Sequence, residues 1–331
     1  MTGDFPWLRR LAAFQRLELR LDENLAPAAA RVYWPLANKI AARCAGRDAP
    51  LLVGLNGPQG SGKTTGAALL RFLLGELGLA AVALSIDDFY LPWPERQALQ
   101  AGHPDNPYYR VSRGNPGTHD LALAHRVLDT LSTATATDST RLPQFDKSLH
   151  DGKGDRLPPE RWPVFHGRPA VILLEGWLVG APVLPADLLD RLKSTQPEVM
   201  AWERENDPDG RYGRALNEAL GAYESVWNRL DVLVVLRIPS LAKIREWRTA
   251  QERELRRAAG QGMSDEETAD FVKPYLLLTA VHGRQVLGNC RFGLTDFLIE
   301  IGEDQQPWRL VECPRAVPDA AADGPANGAE A

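Results

Sequence analysis

The sequence predicts an α/β protein with a mainly parallel central β-sheet and helices on both faces. Predominantly apolar runs with the length of buried strands occur at 51–55, 170–174 and 232–236. Helical patterns alternate with these runs, at 64–77, 120–131, 214–227 and 241–259. Strands that alternate with helices are typical of a parallel sheet whose strands are buried on both faces.

The remaining segments fill in the predicted order of elements. A helix is expected over 26–45, a second strand over 80–86, a long proline-rich loop over 91–117, and short strands over 295–300 and 308–312. The final segment is rich in Ala, Pro, Asp and Gly and has little to bury, so it should be disordered. We therefore expect an N-terminal helical preface (1–46), one domain (47–313) and a disordered tail (314–331).

The first predicted strand leads directly into a complete G-x-x-x-x-G-K-[ST] phosphate loop, or Walker A motif. Its residues are Gly57, Pro58, Gln59, Gly60, Ser61, Gly62, Lys63 and Thr64, and Thr65 follows them. The glycines allow backbone N–H groups to turn inward around phosphates, and Lys63 adds a positive charge. Thr64 opens the next helix, where its hydroxyl can hold Mg²⁺. Because strand, loop and helix occur in the required order, the sequence predicts a nucleoside triphosphate site in a three-layer P-loop fold.

Three acidic residues follow predicted strands. Asp87 and Asp88 come after the second strand, and Glu175 follows the apolar run 170–174. Ligands of open α/β sheets bind at the carboxyl ends of strands. Phosphoryl transfer to a hydroxyl needs a carboxylate that accepts its proton and a metal that offsets phosphate charge. We predict Asp87 as the base and Glu175 as a Mg²⁺ residue; Asp88 either holds Mg²⁺ through water or caps a helix.

Basic residues are concentrated in two long loops and one charged helix. Arg113 lies in the first loop, and Lys147 and Arg156 lie in the second. Such residues can clamp a carboxylate or a phosphate on an acceptor molecule. Arg248, on the helix 241–259, is a candidate for a cationic lid that closes over the phosphates.

Composition argues against several other classes of protein. The net charge is -5, from 38 basic and 43 acidic residues, and gives no reason to expect a nucleic-acid partner. No apolar segment is long enough to span a membrane. Cys44, Cys290 and Cys313 are far apart in the sequence and suggest neither a disulfide framework nor a zinc site, so a cytoplasmic location is expected. The six histidines show no metal-ligand spacing and receive no catalytic role.

Several motifs together resemble the plant-type D-glycerate 3-kinases. The resemblance covers about residues 50–275 and rests on the phosphate loop, 85–91 (SIDDFYL), 113–120 (RGNPGTHD), 145–156 (FDKSLHDGKGDR), 174–177 (LEGW) and 247–252 (WRTAQE). These kinases are similar to uridine kinase, pantothenate kinase and phosphoribulokinase. After Tyr275 the sequence departs from the family, because Leu276–Ala280 replaces further aromatic residues.

The resemblance implies an enzyme that uses ATP and Mg²⁺ to phosphorylate D-glycerate to 3-phosphoglycerate. It places the catalytic aspartate at Asp87, with Lys63, Thr64 and Glu175 serving ATP and Mg²⁺. Arg113, Lys147 and Arg156 would then meet the glycerate carboxylate. Two alternatives remain at this point: a kinase for a nucleoside, pantothenate or a sugar phosphate, and a regulatory P-loop ATPase. The sequence leaves the oligomeric state unknown.

Overall fold

A computed structural model of the chain describes residues 6–22, 25–259 and 263–314. Its strands are β1 (Leu51–Asn56), β2 (Ala81–Ser85), β3 (Ser139–Arg141), β4 (Phe145–Asp146), β5 (Asp155–Arg156), β6 (Val164–His166), β7 (Val171–Gly176), β8 (Val232–Arg237), β9 (Phe297–Ile301) and β10 (Pro307–Glu312). Six of them form one sheet in the order β10-β9-β8-β1-β7-β2. Every neighbouring pair is parallel except β9 and β10. The predicted α/β fold with a mainly parallel sheet is therefore confirmed.

Helices surround this sheet. They are α1 (Pro6–Leu17), α2 (Ala26–Cys44), α3 (Lys63–Glu76), α4 (Trp93–Gly102), α5 (Leu121–Thr133), α6 (Ala186–Ser194), α7 (Pro197–Asn206), α8 (Arg211–Ala219), α9 (Glu224–Trp227), α10 (Leu241–Ala259), α11 (Asp265–Val272), α12 (Leu276–Leu278) and a π-helix (Thr279–Leu287). In the described part of the chain, no helix combines the length and apolar character that a membrane crossing requires.

The apolar core lies around the two central strands. All residues of β1 and β7 are buried, as their continuous apolar sequences require. The helix α2 buries Leu36 and Ile40 completely and packs on both α3 and β10. From the later part of the chain, Val226 and Val281 enter the same core. Because β1 is central in the sheet, the loop that follows it lies in the middle of one sheet edge.

The predicted loop 91–117 contains a helix, α4, so that part of the prediction is wrong. Pro92 and Pro94 occupy the start of α4. A proline there loses no helical hydrogen bond, because the first N–H groups of a helix have no intrahelical partner. Arg96 of α4 is fully buried and donates hydrogen bonds to the carbonyl oxygens of Leu91 (2.9 Å), Ser112 (3.1 Å) and Lys153 (2.9 Å). This side chain ties the two long loops together.

Two cysteines form a disulfide, so the expectation that the distant cysteines suggest no disulfide is wrong. Cys290 follows the π-helix and Cys313 follows β10, and the two sulfur atoms are bonded. Folding brings these residues together although they lie 23 positions apart in sequence. Cys44 is a free cysteine. Of the predicted disordered tail, residues 315–331 lie outside the described part of the chain.

Candidate active site

The phosphate loop connects β1 to α3 at the carboxyl edge of the sheet. Gly60 (φ 76°) and Gly62 (φ 82°) adopt left-handed backbone conformations that other residues avoid. Gly62 immediately precedes α3, and Lys63 is its first residue. The first N–H groups of α3 therefore point into the loop, together with the positive end of the helix dipole. This arrangement is an anion site of the kind that binds phosphates.

Thr64 and Glu175 meet beside this loop, since β7 is the parallel neighbour of β1. The Thr64 hydroxyl donates a hydrogen bond to Glu175 Oε1 at 2.8 Å. The Glu175 side chain is buried, and no described residue hydrogen-bonds to its Oε2. Glu175 lies within β7 and not after it, one residue before the strand ends. A buried carboxylate oxygen without a partner beside a hydroxyl fits Mg²⁺, which prefers oxygen ligands.

The described residues do not form a complete metal site by themselves. Within the described ranges, no group of three or more His, Cys, Asp or Glu side chains could hold a metal ion. Mg²⁺ usually binds one or two carboxylates and completes its shell with water and substrate phosphates. Thr64 and Glu175 are therefore sufficient as the protein's share of such a site.

Asp87 lies in a short 3₁₀ turn, Ile86–Phe89, directly after β2. Its Oδ2 accepts a hydrogen bond from Lys147 Nζ at 2.7 Å, and its Oδ1 accepts one from the Tyr90 hydroxyl at 2.9 Å. Burial opposes ionisation of this carboxyl, but the positive charges of Lys147 and Lys63 outweigh it and hold the pKa well below its usual range. Asp87 is consequently a carboxylate at neutral pH, close to the phosphate-loop lysine.

Asp88 has a different environment. Burial raises the pKa of its carboxyl to about 6, although the Phe145 N–H, which donates to Oδ1 at 3.0 Å, favours the charged form. The nearby Asp87 charge raises the pKa further. The bond to Phe145 connects Asp88 to β4, so Asp88 does not serve as a helix cap among the described elements. Adjacent aspartates thus differ in charge state between pH 4 and 6.

The predicted basic residues separate into two groups. Arg113, Lys147 and Arg248 line one cavity together with Lys63 and Asp87. Arg248 also pairs with Glu252, and its guanidinium carbon lies 5.6 Å from the centre of the Phe271 ring. Arg156 is not among the lining residues.

Arg156 instead binds within the protein. Its Nη1 donates to Asp120 Oδ2 at 3.0 Å, and Asp120 is the N-cap residue of α5. This ion pair connects the β5 segment to the segment that enters α5. The structure therefore brings Arg113 and Lys147 to the cavity, whereas Arg156 does not line it.

The cavity itself has a volume of about 110 Å³. Its walls are Gln59, Lys63, Ile86, Asp87, Tyr90, Arg113, Gly114, His119, Lys147, Trp177, Arg248, Phe271 and Tyr275. Gln59 and Lys63 of the phosphate loop therefore face the same small space as Asp87, the predicted base. It can hold a small anion next to a carboxylate and close to bound phosphates.

Sequence reasoning missed the aromatic wall of this cavity. Trp177 and Tyr275 meet edge to face, with ring centres 5.2 Å apart, and the Tyr275 hydroxyl donates to the Arg113 carbonyl oxygen at 2.8 Å. The segment that departs from the family, Leu276–Ala280, does not line the cavity, and Leu277 and Leu278 are buried in the core. The tripeptide Glu175-Gly176-Trp177 was a usable signal, because the residue after a strand end faces the ligand edge.

A larger cleft, of about 880 Å³, lies elsewhere on the molecule. Arg237, Arg284 and Trp308 are among its walls, and it shares no residue with the phosphate loop. Position relative to the phosphates decides the active site, so we assign the site to the smaller cavity.

Comparisons with known proteins identify kinases that are similar to this chain. No protein-family profile matches the chain. The chloroplastic D-glycerate 3-kinase of Arabidopsis thaliana is 35% identical over 229 residues, which cover 69% of this chain and 46% of that protein. The uncharacterised kinase mug58 of Schizosaccharomyces pombe is 33% identical, covering 69% of this chain and 79% of its own length. The probable ATP-dependent kinase TDA10 of Saccharomyces cerevisiae is 30% identical, covering 70% and 77%.

Solved structures show the same fold. The D-glycerate 3-kinase of Cryptococcus neoformans superposes with a TM-score of 0.71 at 26% identity, covering 85% of this chain and 98% of that one. The YGR205w protein superposes with a TM-score of 0.69 at 24% identity, covering 86% and 99%. The match spans about half the length of the plant enzyme and more than three quarters of the two yeast proteins.

Proposed function

Because the chain belongs to the plant-type D-glycerate 3-kinase family of P-loop kinases, we propose that it transfers the γ-phosphoryl group of ATP to the 3-hydroxyl of D-glycerate. The products are 3-phosphoglycerate and ADP. One observation carries this proposal: an ionised carboxylate, Asp87, faces a small cationic cavity beside the phosphate-loop lysine.

The phosphate loop, Gly57 to Thr64, and the following Thr65 bind the triphosphate of ATP through their backbone N–H groups and Lys63. Thr64 and Glu175 would hold Mg²⁺, with Asp88 contributing through water, and the ion would offset charge on the outer phosphates. These roles follow from the left-handed glycines, the start of α3 and the unpartnered oxygen of Glu175.

Asp87 accepts the proton of the glycerate 3-hydroxyl as that oxygen attacks the γ-phosphorus. The bond between the γ-phosphorus and the β,γ-bridging oxygen breaks, and ADP leaves with the electron pair. A carboxylate with a low pKa is a weak base, so its main contribution is to orient the hydroxyl and to receive the proton late in the transfer. Lys63 stabilises the charge that moves onto the phosphate oxygens.

Arg113 and Lys147 bind the carboxylate of glycerate, since both face the cavity that contains Asp87. Arg156 does not contact the glycerate itself. It holds the β5 segment in place through its ion pair with Asp120. Arg248 lies on α10, which packs against α11 and forms a lid with it. Closure of such a lid excludes water and limits hydrolysis of ATP.

The remaining features of the proposal concern the whole protein. We propose a division into a helical preface (1–46), a kinase domain (47–313) and a C-terminal segment (314–331). The acceptor is a small anion, and a chain of net charge -5 has no evident affinity for nucleic acid. A cytoplasmic location remains a prediction. The disulfide between Cys290 and Cys313 argues against it, because disulfides are rare in cytosolic proteins.

The direct test measures ADP formation by the purified protein with ATP and Mg²⁺, with and without D-glycerate. The phosphorylated product is identified by enzymatic assay specific for 3-phosphoglycerate or 2-phosphoglycerate. Glycerate-dependent ADP formation that yields 3-phosphoglycerate is the expected result. Turnover only with a nucleoside, pantothenate or a sugar phosphate would replace the acceptor, and ADP formation that no acceptor accelerates would favour a regulatory ATPase.

A further inference from the structure

His119 lies in the wall of the active-site cavity, although its position in the sequence gave no reason to assign it a role. A backbone bridge pairs residue 119 with Tyr90, and the two rings stack with centres 4.4 Å apart. Its Nε2 atom is buried, and no hydrogen-bond partner for it exists among the described residues. A buried polar atom without a partner is costly, so it marks a position where a ligand can bind.

The other ring nitrogen determines which proton His119 carries. His119 Nδ1 lies 2.7 Å from the Tyr223 hydroxyl. The Tyr223 oxygen accepts a hydrogen bond from the Gly117 N–H at 3.0 Å. Among the described residues His119 Nδ1 is the acceptor within reach of the buried Tyr223 hydroxyl proton, so the hydroxyl donates to Nδ1. His119 is therefore the tautomer with a proton on Nε2, a hydrogen-bond donor.

The ring is also uncharged at neutral pH. Burial lowers the pKa of His119 to about 4, although the nearby Asp87 carboxylate favours the charged form. His119 thus contributes a neutral N–H donor to a cavity that is also lined by the charged side chains of Lys63, Asp87, Arg113, Lys147 and Arg248. A neutral donor adds nothing to the recognition of net charge, but it can recognise a hydroxyl oxygen.

The three polar groups of glycerate have three kinds of partner in this cavity. The carboxylate requires the cations Arg113 and Lys147, and the 3-hydroxyl requires the base Asp87. The 2-hydroxyl remains, and His119 supplies a buried donor that has no partner among the described residues. We propose that the Nε2–H of His119 donates a hydrogen bond to the 2-hydroxyl of the acceptor and thereby selects 2,3-dihydroxy acids. This inference rests on the proposed function and identifies His119 as the residue that recognises the 2-hydroxyl.

The test compares kcat/KM for D-glycerate and for 3-hydroxypropanoate, which has the same carboxylate and reacting hydroxyl but no 2-hydroxyl. The wild-type protein should prefer glycerate, because the analogue leaves the His119 N–H unpaired. In His119→Phe, which keeps a ring stacked on Tyr90, the preference should fall about tenfold to a hundredfold, through loss of activity toward glycerate alone. The KM for ATP should not change.

Matched variants separate recognition from folding. In His119→Asn the amide takes the place of Nδ1 and can keep the Tyr223 contact, but it provides no donor at the Nε2 position, so the preference should also fall. In His119→Gln the amide reaches the Nε2 position and should retain more of the preference than Asn. His166, on the exposed strand β6, gives the control variant His166→Phe, which should behave as wild type.

The outcomes distinguish this inference from the proposed function. No glycerate turnover by the wild-type protein overturns the function itself. Wild-type turnover of glycerate with no preference over 3-hydroxypropanoate overturns the role of His119. A preference that survives in both His119→Phe and His119→Asn overturns it as well.

Discussion

Replacement of Asp87 by Asn tests the central step of the proposed mechanism with little disturbance of the fold. The substitution removes the ion pair with Lys147, whose side chain is 60% exposed, and such an exposed pair contributes about 0–1 kcal/mol to stability. The Asn oxygen can still accept the Tyr90 hydrogen bond. Folded yield should therefore stay close to wild type, while thermal stability should fall, because Lys147 and Lys63 lower the pKa of Asp87 and its charged form thus stabilises the folded protein at neutral pH.

The effect on the reaction should be far larger. Loss of a positioned proton acceptor costs about 10²- to 10⁴-fold in kcat, or about 3–5 kcal/mol in the barrier. The hydrogen bonds of Asp87 go to Tyr90 and Lys147 and not to the phosphate loop, so the KM for ATP should change little. A drop in kcat at constant KM for ATP is the signature of an interaction made in the transition state.

The assay is ADP formation at saturating D-glycerate, measured from pH 5 to 9. Because the pKa of Asp87 lies below its usual value near 4, this carboxylate is ionised throughout that range and contributes no acid limb to the wild-type profile. Asp88→Asn is the matched control. If Asp88→Asn lost a hundredfold in kcat and Asp87→Asn did not, the assignment of the base would be wrong.

Three further predictions concern metal, pH and the disulfide. The pKa of Asp88 is about 6 in the folded protein, whereas an unfolded chain has an Asp pKa near 4. Between pH 4 and pH 6 the folded state therefore binds more protons than the unfolded state. The free energy of unfolding consequently falls as the pH rises through this range. Asp88→Asn should consequently be more stable than wild type by about 1–3 kcal/mol in urea unfolding at pH 7.5 and indistinguishable at pH 4; an equal difference at both values would contradict this. Glu175→Gln preserves an oxygen for Thr64 but removes the buried charge, and should raise the Mg²⁺ concentration for half-maximal activity at least about tenfold; an unchanged Mg²⁺ titration would exclude Glu175 from the metal site. Cys313→Ser opens a loop of 23 residues and should lower the free energy of unfolding by about 3 kcal/mol in oxidising buffer, with no difference once dithiothreitol is added; a difference that persists under reduction would mean that Cys313 stabilises by packing and not by its bond to Cys290.

Local sequence predicted the elements whose physical cause is local. The phosphate loop is a run of eight residues whose backbone conformations depend on its own glycines, so its position and its junction with α3 could be predicted closely. The buried strands β1, β7 and β8 were predictable because burial on both faces demands continuous apolar residues. By contrast, α4 was missed because Pro92 and Pro94 were interpreted as helix breakers, whereas at a helix start they break nothing.

The sequence alone thus determined a P-loop α/β kinase fold, the anion site of the phosphate loop, and the identity of Asp87, Asp88 and Glu175 as acids at strand ends. Only the tertiary structure showed that Arg113 lines the cavity whereas Arg156 pairs with Asp120. It also brought His119 into the cavity wall, with an Nε2 atom that has no partner among the described residues. It also joined Cys290 to Cys313 and buried Arg96 between two loops. The physical reason is common to these cases. A backbone conformation or an apolar run is encoded by adjacent residues, whereas the partner of a polar side chain comes from a distant segment and is decided by which chain segments the folded sheet and loops bring together.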